Sequence, residues 1–95
     1  MQPHKYISSL QNPLCKQYIQ LQEKSKMRKK LDCFVLEGLQ EIQRAITNKD
    51  QIESLFFCED IIPPILLKQT FKISEETPII SVSKKVYKKL AYRES

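Results

Sequence analysis

The stretch Pro78-Ile79-Ile80-Ser81-Val82-Ser83-Lys84-Lys85-Val86-Tyr87-Lys88-Lys89-Leu90 reads as a strand that passes directly into a helix, and that pair decides the fold. Pro78 to Val82 is a short apolar run rich in strand-favouring residues. Ser83 is a credible N-cap, because its side-chain oxygen can accept from the free amides of a first helical turn. The helix behind it is expected to carry Val86, Tyr87 and Leu90 inward.

The same alternation continues upstream. Ser74-Glu75-Glu76-Thr77 is a polar loop, and Pro63-Pro64 can only begin a helix, so Ile65 to Gln69 reads as a short helix or turn. Ile52 to Cys58, with Leu55-Phe56-Phe57 at its centre, is short enough for a buried strand. Cys33-Phe34-Val35-Leu36 is expected to form another strand, turning at Glu37-Gly38, where the only glycine of the chain sits. Leu39, Ile42, Ala45 and Ile46 then form a helical stripe that stops near Asn48-Lys49-Asp50. At the front, Asn12-Pro13 reads as a helix start, with Leu14, Tyr18 and Leu21 on one face and an end near Lys24 or Ser25. Ser25 to Lys30 follows as a basic connector. Alternating helices and strands with such short connections predict an α/β layer structure, helices covering a small, largely parallel sheet.

Ninety-five residues suffice for one domain with one core, and 41% hydrophobic with 28% charged residues is an ordinary globular composition. Sixteen Lys and Arg against eleven Asp and Glu give a formal charge of +5, with a pI near 9.2. That excess favours polyanionic partners. Cys15, Cys33 and Cys58 are odd in number and far apart, which fits reduced thiols in a cytoplasmic protein. With no CxxC pair and His4 as the only histidine, a zinc site is not expected. The first residues lack the apolar core of a signal peptide, and no stretch approaches the roughly 20 apolar residues of a membrane span.

Three features can carry a function. Lys24, Lys26, Arg28, Lys29 and Lys30 are five cations within seven residues, either phosphate contacts or a solvated connector that complements a helix C-terminus. Lys84 with Lys88, and Lys85 with Lys89, are i, i+4 neighbours of like charge, a mildly repulsive arrangement that an anionic partner relieves. Glu37-Gly38 lies at a strand end, where α/β folds place ligand contacts, although a conformational need for glycine is the better explanation on physical grounds alone. Asn12 reads first as a helix cap. One glycine rules out a glycine-rich phosphate loop, and no nucleophile has an evident base, so catalysis by these residues alone is not expected.

In order along the chain, Ile7-Ser8-Ser9-Leu10-Gln11-Asn12-Pro13, then Lys16, Leu21, Lys24 and Arg28, then Phe34-Val35-Leu36-Glu37-Gly38, resemble the N-terminal substrate-binding domain of SpoU-type (TrmH-like) RNA 2'-O-ribose methyltransferases. Ser83 to Ser95, with Val86, Leu90 and Arg93, is similar to the family's segment before its linker, so the resemblance spans nearly the whole chain. It implies a three-layer α/β/α sandwich similar to kink-turn-binding ribosomal proteins. It further implies a module that presents ribosomal or transfer RNA to a C-terminal SPOUT domain, expected beyond residue 95. That domain would bind S-adenosylmethionine, methylate a ribose 2'-hydroxyl and usually form a homodimer. Carried over by position, Asn12, Lys16, Arg28, Glu37 and Gly38 are expected nearest the RNA or the methyl-transfer site. Arg28 would clamp a phosphate, Lys16 would meet one as a point charge, and Glu37 would orient Asn12, Arg28 or a ribose hydroxyl. With Lys24, Lys84 and Lys88 they make up the expected RNA-binding set. The alternatives are a free-standing RNA-binding protein and a domain that chiefly packs on its catalytic partner.

Overall fold

A computed structural model describes residues 5–91. His4 and the closing Tyr92-Arg93-Glu94-Ser95 lie outside them. Among the described residues the order is β1 (Lys5–Ile7), α1 (Pro13–Glu23), α2 (Ser25–Leu31), α3 (Leu39–Thr47), β2 (Leu55–Phe57), α4 (Pro64–Thr70), β3 (Ile79–Val82) and α5 (Lys84–Leu90). The three strands form one parallel sheet in the order β1-β3-β2. Ile7 pairs with Val82 on one side, and Leu55 and Phe56 pair with Ile79 and Ile80 on the other.

β3 is central, and all four of its residues are buried. A strand in a parallel sheet covered on both faces needs a continuous apolar run, and Ile79-Ile80-Ser81-Val82 supplies one with a single hydroxyl. The period of two sorts the side chains into two cores. Ile80 and Val82 join Ile7, Cys15, Cys58, Val86 and Leu90, with Leu14, Tyr18, Ile19 and Phe56 packed against them. Ile79 joins Leu55, Phe57, Leu67 and Phe71, with Ile42, Ile46, Ile62 and Ile73 around them. Helices α1 and α5 therefore cover one face and α3 and α4 the other, which is the expected small α/β sandwich. Burial pushes the Cys15 thiol up from its ordinary pKa, so it packs as an apolar group. No helix among the described residues is long and apolar enough to cross a membrane.

Four expectations change. Ser25 to Lys30 is no connector but helix α2, because Lys, Met and Arg are good helix formers and no Gly or Pro interrupts them. The break from α1 is confined to Lys24, whose backbone is extended at φ −121° and ψ 110°. Cys33 to Leu36 forms no strand, since strand propensity is realised only with a ladder partner, and the third strand is Lys5–Ile7 instead. Tyr87 is 36% exposed rather than inward, because Val86 and Leu90 already define the narrow stripe by which this seven-residue helix is buried. Leu39, at the first position of α3, is also exposed, a turn before the packed Ile42.

Candidate nucleic-acid interface

Asn12 caps α1 as its sequence requires. Its backbone is extended, its Oδ1 accepts from Leu14 N at 2.9 Å, and Pro13 fills the first helical position. Lys16 stands exposed one turn further on. Lys24 joins α1 to α2 and is exposed as well.

Arg28 differs from the lysines around it. It is half-buried, and its Nη1 donates to Leu21 O at 2.7 Å and to Gln22 O at 3.2 Å. Those carbonyls belong to the last turn of α1, where no intrahelical partner is available. The cation therefore closes the helix end electrostatically and by hydrogen bonding, locking α2 against α1. Its Nε and Nη2 make no hydrogen bond to the described residues, so a phosphate contact would be additional to this structural one.

Glu37 accepts from Tyr18 Oη at 2.9 Å across nineteen residues of chain. The Tyr18 ring meets Phe56 of β2 edge-on, with centroids 5.2 Å apart. Tyr18 was legible in the sequence only as a core residue, yet its polar tip fixes Glu37 to α1 while its ring sits in the core. Neither Asn12 nor Arg28 bonds to Glu37, and Tyr18 is a partner that sequence spacing did not suggest. Gly38 follows with φ +96° and ψ 146°, a region reserved almost wholly for glycine. A Cβ there would stand 2.6 Å from Glu41 Oε2, the far end of a flexible side chain that can swing aside. The backbone, not the space, thus requires glycine. Gly38→Ala is expected to cost about 1–3 kcal/mol in urea unfolding. Adding Glu41→Ala should recover none of that loss; full recovery would place the cause in side-chain crowding instead.

Lys84 and Lys88 are exposed on α5, with Lys85 and Lys89 beside them. Ser83 Oγ accepts from Val86 N at 3.2 Å, which starts the helix where the sequence predicted. Gln22 Nε2 donates to Leu90 O at 2.7 Å, tying the end of α1 to the end of α5.

The tertiary fold collects most of these residues in one layer. From Pro13 to Leu31 and along α5 the chain carries ten Lys and Arg and a single acid, Glu23. Nine of the ten cations are exposed, and none makes an ion pair among the described residues. Residues 39–77, which build the opposite layer and β2, carry four cations against seven acids. The domain is electrically polarised: its excess positive charge lies on the α1, α2 and α5 side of the sheet. Asn12, Lys16, Lys24, Arg28, Lys84 and Lys88 share that side, Glu37 is fastened to it through Tyr18, and Gly38 leads away into α3. The described residues contain no group of three or more His, Cys, Asp or Glu placed to hold a metal ion.

The family model described as the MRM3-like substrate binding domain matches residues 12–95, consistent with the N-terminal substrate-binding domain of SpoU-type methyltransferases. No curated protein and no solved structure matches the chain.

Proposed function

The chain belongs to the family of MRM3-like substrate binding domains, and on that premise we propose that its basic layer holds ribosomal or transfer RNA for a ribose 2'-O-methyltransferase domain joined beyond residue 95. The observation that carries this reading is the segregation of charge. The three helices of this layer carry ten cations and one acid, and none of the ten makes an ion pair among the described residues, which leaves a positive field that favours an external polyanion. Phosphate contacts of this kind position an RNA without reading its sequence.

The methyl donor of such an enzyme, S-adenosylmethionine, would supply the transferred methyl group. Nothing among the described residues points to a site for it. Among the described residues the one buried side-chain atom without a partner is Ser81 Oγ, in the central strand between the two helical layers rather than at a surface. We assign donor binding, dimerisation and the chemical step to the catalytic domain, and capture and orientation to this one.

The test is titration of the 95-residue chain into labelled ribosomal RNA fragments and transfer RNA across a salt series. Binding whose logarithm falls linearly with log salt, at about 0.7–0.9 per phosphate neutralised, is expected. Absence of binding even at low salt would transfer recognition to the catalytic domain and leave this one a packing role.

A further inference from the structure

Between α2 and α3 the chain crosses from Cys33 to Glu37 in an unusual state. The composition is that of a strand, and exposure alternates as on one: Phe34 is 67% and Leu36 39% exposed, while Val35 and Glu37 are half-buried. In an extended segment the first pair lies on one side and the second on the other. Yet Phe34, Val35 and Leu36 make no backbone hydrogen bond to the described residues. Both ends are held. Cys33 N donates to Arg28 O at 3.2 Å, folding the start onto the last turn of α2, and Tyr18 holds the Glu37 carboxylate at the other end.

The result is a fixed strap that offers a flat aromatic face and three residues of open backbone donors and acceptors. Before it along the chain come Asp32 and Leu31, and then Lys30, Lys29 and Arg28 of the last α2 turn. An aromatic ring left in water a few residues along the chain from a cluster of cations suits single-stranded nucleic acid, with the ring for a base and the cations for phosphates. The interior of a duplex cannot use the ring, because each base there is already stacked on both faces.

We propose that the Cys33–Glu37 strap receives an unpaired RNA nucleotide, its base stacked on Phe34, its polar edge meeting the backbone of Phe34 to Leu36, and its flanking phosphates held by Lys29 and Lys30. The proposal rests on the RNA-binding reading above and narrows it, from RNA in general to looped or single-stranded RNA. A protein strand added to the open backbone is the competing occupant, disfavoured by the three cations of the last α2 turn.

The probe is a stem-loop RNA with one 2-aminopurine in its loop, compared with a blunt duplex of the same stem. The chain is expected to bind the stem-loop more tightly and to change the 2-aminopurine fluorescence. Phe34→Leu, which keeps an apolar side chain but removes the ring, should weaken stem-loop binding about tenfold, the scale of one lost base–aromatic stack. Duplex binding and the salt slope should stay as they were, and Phe34→Tyr should restore the loss. Lys29→Gln with Lys30→Gln should weaken both RNAs and reduce the slope by about 1–2. If Phe34→Leu leaves stem-loop binding intact, or weakens both RNAs alike, the strap proposal is overturned while the basic layer remains an RNA surface. Self-association of the chain that Phe34→Leu abolishes without altering RNA affinity would assign the strap to strand addition and overturn the proposal equally. Failure of the unaltered chain to bind either RNA at low salt removes the broader reading along with it.

Discussion

Replacing Lys84, Lys85, Lys88 and Lys89 together with glutamine is expected to weaken RNA binding about 20-fold near 0.15 M salt, without weakening the fold. The four lysines lie within one seven-residue helix, about 10 Å long at 1.5 Å per residue, so roughly two of them can meet phosphates at once. Each contact contributes about 0.7–0.9 to the salt slope, and two therefore remove about 1.5 from its magnitude. The effect on stability has the opposite sign. Lys84 and Lys88, like Lys85 and Lys89, repel at i, i+4, and none has an ion-pair partner among the described residues, so glutamine relieves about 0.2–0.5 kcal/mol per pair. Val86 and Leu90, which bury the helix, are untouched. A variant that binds worse and melts no earlier cannot be explained by misfolding. Lys68→Gln with Lys72→Gln, in the acidic part of the chain, should change affinity less than about twofold because only the weak long-range field is altered. Equal losses from the two variants, or an unchanged slope in the first, would contradict a localised interface.

Elements whose ends are written in local chemistry were legible in the sequence. Asn12-Pro13 starts α1, Ser83 starts α5, and Pro64 opens α4, each through a cap or a proline whose action spans a few residues. The buried run at Ile79 to Val82 was equally plain, because no surface segment needs four such residues in succession. What remained hidden depends on partners far away in sequence. Lys5-Tyr6-Ile7 is a strand only because β3 lies beside it, and Phe34-Val35-Leu36 is not one because no ladder forms there, although its composition is the more strand-like. The site divides in the same way. The positions of the cations were visible, and so was their excess. Their gathering on one side of the sheet was not, since it follows from α1 and α5 packing over the same core. The Tyr18 to Glu37 bond was beyond any reading of spacing for the same reason.

Arg28 joins the two problems, and its replacement separates them. Arg28→Ala is expected to destabilise the domain by about 1.5–3 kcal/mol, the worth of hydrogen bonds from a charged donor to carbonyls that have no other partner. The loss should appear in urea unfolding and as faster amide exchange at the α1 to α2 junction around Lys24. Arg28→Lys retains the positive charge, but its shorter side chain does not set an ammonium where Nη1 bonds both Leu21 O and Gln22 O, so it should recover less than half of the stability. RNA binding is expected to follow charge instead. The lysine variant should keep the salt slope of the unaltered chain, while the alanine variant should lose up to about one phosphate's share of it. If both variants lose stability but neither alters the slope, Arg28 is a helix closure alone, and the phosphate contacts of this layer belong to its lysines.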